Sequence, residues 1–309
     1  MTNPKITVLM CVYNEKLIQL EHAVYSILNQ TFTNFEFLII LDNPSNFELY
    51  SFLKKVEFKD KRISLYLNNQ NIGLPLSLNK GLSLAKGDYI ARMDADDVSF
   101  CDRLKIQSDF LDKNENISIV CGNYVYIDEN DKYIRSNISI NKSNNVNKMM
   151  KYCNVIAHPC VMFRKKDIIE IGGYRNIKYA EDYDLWLRAI LNNKRIEIIN
   201  KTLLKYRIRE NSISNQNTLR QRLTANLLRK KFKKGNELDL TELKHFLDKH
   251  EKTAKKKRFE TSRKLYSLAL NEKKDNFIVF FILMLISFVI CFDTFLLFCE
   301  TKMVIFYSK

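Results

Sequence analysis

Glycine and proline are scarce in this chain, 7 and 4 among 309 residues, so no Gly/Ser-rich or proline-rich linker divides it. Any boundary has to be read from charge and hydropathy. The seven cysteines are odd in number and contain no CxxC pair, which argues against a disulfide framework and for reduced thiols, most of them buried in apolar runs. With four histidines, and only His158 and Cys160 close together, a clustered zinc site is not expected. Glycine is also missing after the first apolar run, where Val12-Tyr13-Asn14-Glu15 stands, and the phosphate loop of a nucleotidyltransferase needs it there. No internal repeat is present. The chain opens directly into a strand-like run, so no signal peptide is expected and the N-terminal part should stay in the cytosol.

What is present is enough for a core: 46% of residues are hydrophobic and 28% charged, and the length allows one sizeable α/β domain with something appended. The net charge of +15 is unevenly spread. Residues 1–215 hold 30 basic and 25 acidic side chains, whereas 216–309 hold 20 and 10. Such a tail suits an anionic partner, whether nucleic acid, acidic lipid or a phosphorylated substrate. A basic helix without a base-reading motif gives nucleic acid only salt-sensitive, nonspecific contact.

Apolar runs at 6–12 and 35–41 (FEFLIIL) read as strands covered on both faces, and 63–67 and 89–93 as further strands. Helical periodicity over 15–30, 46–56 and 76–86 separates them, the last stretch closed by Gly87. Strand and helix alternate, which predicts an α/β fold with a mainly parallel sheet flanked by helices. Ligands of such sheets lie beyond the carboxyl ends of the strands, where Asn14, Asp42 and Asp94-Ala95-Asp96-Asp97 all fall. Further strands are expected at 117–121, 123–127, 160–164 and 203–208, and a helix at 181–192.

Residues 216–275 read as a basic helical segment, and the apolar run that follows, from Phe277 to Phe298, is interrupted only by Ser287, Asp293 and Thr294. Twenty-two helical residues cover roughly 33 Å, so 276–300 is expected to be a membrane-anchoring helix, a buried core helix being the alternative. Basic residues upstream place the N-terminal domain on the cytoplasmic side of a membrane.

Two carboxylates two positions apart just past a strand, Asp94 and Asp96, can hold a divalent cation such as Mn²⁺ or Mg²⁺, though acidic loops are also common solvated surface. Asp97 suits either a helix cap or a ligand contact, and Arg92 either faces the same crevice or points away.

The segments ITVLMCVYNE, FEFLIILDNPSN, NIGLPLSLNKGLSLAKGDYIARMDADD and AEDYDLWLR, in that order, resemble the motifs of family 2 glycosyltransferases with the GT-A fold over residues 5–215. The resemblance implies an inverting transferase of bacterial cell-surface glycan synthesis, lipopolysaccharide or capsule, acting at the inner membrane. It implies a UDP-sugar donor, a divalent metal, and a glycan or lipid-linked acceptor. Carried over by position, Asp42 would bind the uracil ring, Val12, Tyr13 and Glu15 would border the nucleoside, and Asp94 and Asp96 would serve the ribose and the metal, Asp96 most directly. Glu181 and Asp182 match the acidic pair that supplies the general base, and His158-Pro159 matches an element on the acceptor side. Arg209 stands where many relatives carry histidine. A membrane-bound inactive partner of another transferase is the rival that keeps the fold.

Overall fold

The computed structural model describes residues 3–137, 146–209, 218–251, 253–272 and 277–308. In chain order the first part runs β1 (Ile6–Val12), α1 (Leu17–Leu28), β2 (Phe35–Leu41), α2 (Phe47–Lys59), β3 (Ile63–Leu67), α3 (Leu74–Leu84) and β4 (Tyr89–Asp94). It continues with β5 (Val98–Ser99), α4 (Arg103–Lys113), β6 (Ile119–Ile127), β7 (Tyr133–Ser136), a single turn α5 (Val146–Met149), β8 (Val161–Arg164), α6 (Lys165–Glu170), α7 (Glu181–Leu191) and β9 (Ile196–Arg207). Helices α8 (Thr218–Lys233), α9 (Leu240–His250), α10 (Thr253–Glu272), α11 (Phe277–Ile290) and α12 (Phe292–Ser308) follow.

The strands form one sheet in the order β3-β2-β1-β4-β8-β6-β9-β5, with β7 paired to β6. All seven residues of β2 are buried, as its nearly continuous apolar sequence, broken only by Glu36, leads one to expect of a strand covered on both faces. The sheet is mixed rather than mainly parallel. β1, β2, β3 and β4 pair in parallel, as does β6 with β9, but β8 is antiparallel to both β4 and β6, and β5 and β7 are antiparallel to their partners. The alternating pattern that signals parallel pairing stops at β4, and β8 arrives from a short 3-10 turn instead of a crossover helix. The expected strands 117–121 and 123–127 are one strand, β6, whose register against β9 shifts at Gly122 and Asn123.

Buried polar groups join the parallel and antiparallel parts. Arg103, fully buried, donates from Nη2 to the Arg92 carbonyl at 2.7 Å and the Val161 carbonyl at 3.2 Å, linking β4 to β8, and Gln107 donates to the Cys160 carbonyl at 2.8 Å. On β1, Thr7 donates to Glu36 of β2 at 2.5 Å and accepts from the Gly87 amide at 2.9 Å. Helix α3 ends at Leu84 with Ala85 as its C-cap, not at Gly87. Gly87 serves a close approach: a Cβ there would lie 2.4 Å from the Thr7 nitrogen.

The chain falls into two compact units, one of residues 1–146 and 154–210, which holds the sheet, and a second of 147–153 and 211–309. The second is helical. Its expected single membrane helix is two helices that break at Cys291, and no helix among the described residues is long and apolar enough to cross a membrane. The break falls between two polar residues of the run, Ser287 and Thr294, which are fully buried and hydrogen-bond Ser262 of α10. Of the cysteines, expected to be mostly buried, only Cys121, Cys160 and Cys291 are; Cys101 is exposed, and all seven are free.

Candidate active site

Register brings the acidic groups together. Val12 pairs with Leu41 and Cys11 with Asp94, so the carboxyl ends of β1, β2 and β4 lie side by side. The cavity lined by Lys5, Gly87, Tyr89 and Arg164 is elsewhere, at the strands' amino ends.

At the end of β4, carboxylate oxygens of Asp94, Asp96 and Asp97 lie within 4.8 Å of one another, a donor set suited to a hard divalent cation. Burial raises the Asp96 carboxyl to about 7, Asp94 adds to the effect, and Arg209 opposes it. Asp97 is 1% exposed and is raised further by burial and by Asp96. One of its oxygens accepts from the Arg207 amide at 2.7 Å; the other, Oδ2, has no hydrogen-bond partner. Asp96 and Asp97, two buried acids with raised affinity for protons, and an Asp97 oxygen left unsatisfied beside Asp94 form a site that a cation would relieve. Asp97 does not cap the next helix, whose N-cap is Asp102.

Arg92 faces this cluster. Strand periodicity puts it on the same side of β4 as Asp94, and its guanidinium forms an ion pair with that carboxylate while Nε, fully buried, has no hydrogen-bond partner. Arg209 meets the cluster from beyond β9, Nη2 lying 2.6 Å from Asp96 Oδ2.

Asp42, 4% exposed, accepts at Oδ1 from Asn68 Nδ2 at 2.7 Å and the Ile72 amide at 3.0 Å, and at Oδ2 from the Gly73 amide at 2.8 Å. It therefore fixes the 68–73 loop and, with the Gly73 amide donating to Oδ2, retains capacity there to accept a further hydrogen bond. Lys80 completes this arrangement by donating to Asn68 Oδ1 at 2.7 Å. Val12 is buried and Tyr13 exposed. Glu15 folds back to accept from the Tyr13 amide at 2.8 Å, and burial raises its carboxyl against that hydrogen bond.

Glu181 and Asp182 open α7. A helix N-terminus favours carboxylates, but burial outweighs it here: Glu181 is raised to about 7, chiefly by burial and next by Asp182, and Asp94 adds to the shift. Asp182 is also raised by burial, opposed by hydrogen bonds from the Tyr183 amide and from Asn154 Nδ2, each at 2.7 Å, and by Arg92. Asp184, one turn inward, is sandwiched between Arg175 and Arg188. His158 Nε2 lies 2.8 Å from the Tyr174 hydroxyl and its ring packs edge-on to Trp186; burial and Arg92 hold it well below the usual imidazole range, so it is neutral.

Asn68, Asn154, Tyr174 and Arg207 are functional neighbours that sequence reasoning missed. Arg207 carried a signal, since alternation along β9 turns it inward toward the acidic loop, where Nε donates to the Asp96 carbonyl at 2.7 Å. Asn154 carried none, because its role depends on a contact 28 residues away.

The family model described as Glycosyl transferase family 2 matches residues 7–172, over half of the chain. The chain belongs to this family. An uncharacterized glycosyltransferase of Methanocaldococcus jannaschii is 35% identical over 217 residues, 69% of this chain and 75% of that one. The O-antigen biosynthesis glycosyltransferase WbnJ of Escherichia coli is 37% identical over 67% of this chain and 81% of its own. An E. coli UDP-Gal:alpha-D-GlcNAc-diphosphoundecaprenol beta-1,3-galactosyltransferase is 30% identical over 66% and 74%. Among solved structures, S. aureus TarS 1-349 in complex with UDP-GlcNAc superposes with a TM-score of 0.60 at 16% identity, over 79% of this chain and 70% of that one. A Pyrobaculum calidifontis mannosyltransferase in complex with GDP-Man and Mn²⁺ gives 0.58 at 14% identity, over 80% and 69%. These likenesses show the fold, which is GT-A-like, and the family match bears out the expected family 2 glycosyltransferase.

Proposed function

We propose that this family 2 glycosyltransferase moves a sugar, with inversion at the anomeric carbon, from a UDP-sugar to a hydroxyl of a glycan or lipid-linked acceptor in cell-surface polysaccharide synthesis. One observation carries the reading: two separate acidic groups, Asp94-Asp96-Asp97 ending β4 and Glu181-Asp182 opening α7, meet across Arg92, whose charge acts on both. The named activities of the E. coli relatives support the class of donor and acceptor.

Asp96, with Asp94 and Asp97, would hold Mn²⁺ or Mg²⁺, whose charge favours departure of the nucleoside diphosphate. Val12, Tyr13 and Glu15 border the nucleoside and the remaining lone pair of Asp42 accepts from the uracil ring. Asp182 takes the acceptor hydroxyl's proton as that oxygen bonds to the anomeric carbon and the bond to the leaving phosphate breaks. Asp182 suits this task better than Glu181 because hydrogen bonds from Asn154 and the Tyr183 amide favour its charged form and fix its carboxylate in place.

Asp96→Asn is expected to abolish transfer and Mn²⁺-dependent UDP binding, read by calorimetry with a panel of UDP-sugars, while the circular dichroism spectrum is unchanged. Full activity in that variant would overturn the metal assignment.

A further inference from the structure

In a water-soluble helical bundle apolar side chains point in and hydroxyls point out. Helices α11 and α12 depart from this: Phe280 and Met284 face a small apolar core, but buried hydroxyls lie beside it and the outer face is apolar as well. The hydroxyls of Ser287 and Thr294 are fully buried, both bonded to Ser262 Oγ, at 3.1 Å and 2.6 Å. The outward face of α11 is apolar: Ile278, Ile282, Leu285 and Val289, spaced four, three and four residues apart, are 73%, 50%, 61% and 86% exposed, and Phe292, which opens α12, is 64% exposed. Phe281 and Ile286 widen the stripe. None of these seven side chains can donate or accept a hydrogen bond, whereas protein–protein interfaces carry about one per 100–200 Å².

We infer that this face docks into the surface of an anionic lipid bilayer, lying in one leaflet without crossing it. Fourteen helical residues cover roughly 21 Å, short of a hydrocarbon core of about 30 Å, so α11 lies in the interface and does not span. Charge complementarity selects the occupant. Residues 216–309 carry 20 basic against 10 acidic side chains, with Lys257, Arg258, Lys264 and Lys302 exposed in the same unit. Anionic headgroups satisfy that excess, and hydrocarbon satisfies the stripe. A second copy would bring +10 against +10 and offers no counter-charge. The inference is independent of the sugar chemistry.

The test is co-sedimentation of the full chain with phosphatidylcholine vesicles with or without 30% phosphatidylglycerol, at 0.1 M and 0.5 M NaCl. Wild type is expected to bind the anionic vesicles and, at high salt, to bind more weakly but still measurably, because burial of the stripe is not screened. Val289→Glu should reduce partitioning at least tenfold and the gentler Val289→Ser severalfold, with circular dichroism and UDP binding unchanged in both. Complete release by 0.5 M salt, or wild-type partitioning by Val289→Glu, overturns the inference. So does a stable dimer, by light scattering, that Val289→Glu dissociates, since the occupant is then a second copy.

Discussion

Asp182 and Glu181 are adjacent in sequence yet differ in what their oxygens touch. Hydrogen bonds from Asn154 and the Tyr183 amide hold Asp182, so Asp182→Asn should lower kcat roughly 10²-fold or more while donor affinity changes little. Glu181→Gln should be milder. Asp184→Asn should act through stability, because it leaves Arg175 and Arg188 short of a buried counter-charge, a change that costs on the order of 3 kcal/mol. Single-turnover transfer and thermal unfolding of the three variants decide the assignment, and activity lost in Asp184→Asn but kept in Asp182→Asn would refute it. Glu181 also sets a pH dependence. Its carboxyl is about 7 when folded and 4.5 ordinarily, so the folded chain binds more protons than the unfolded one between those values and loses stability as pH rises through them. Glu181→Gln should therefore raise Tm at pH 8 and leave it unchanged at pH 4. Arg209 competes for Asp96 with any cation, so Arg209→Ala should tighten Mn²⁺ binding severalfold in the absence of nucleotide. Calorimetry showing unchanged or weaker binding would mean that the ion pair does not guard the site.

At the scale of elements, the register of β1 against β4, which sets Asp94 opposite Cys11, begins at a tight seam where the entry to β4 passes the start of β1. A Cβ on Gly87 would meet the backbone of Ile6 and Thr7, which cannot yield, whereas one on Gly81 would meet only the Leu9 side chain. Gly87→Ala should cost at least 1–3 kcal/mol in urea unfolding and Gly81→Ala less, about what overpacking usually costs. Equal costs would show that β1 adapts. Elements with one strong period were legible from sequence: β1, β2, β3 and β4 run as expected, and α7 begins at Glu181 as its acidic start implied. The split of the apolar run at Cys291 was not, because hydropathy counts Ser287 and Thr294 as minor interruptions and gives no sign of their buried bonds to Ser262, which flank the break.

For the whole molecule, local pattern determined a great deal. An apolar run reads the same wherever it packs, and a carboxylate at a strand's end is placed by the strand itself, so the α/β class and the positions of Asp42, Asp94 and Asp96 followed from sequence, and the resemblance to family 2 glycosyltransferases was carried by motifs within single segments. Tertiary structure alone decided what depends on partners far apart in the chain. Pairing direction at β8, the inward turn of Arg92, the ion pair of Arg209 with Asp96, the clamp of Asn154 on Asp182 and the buried bonds of Ser287 and Thr294 to Ser262 all arise from such partners. Sequence periodicity reports which face of an element is apolar, but not which distant side chain will meet it, and it is that meeting which sets the charge and the reach of each group in the crevice.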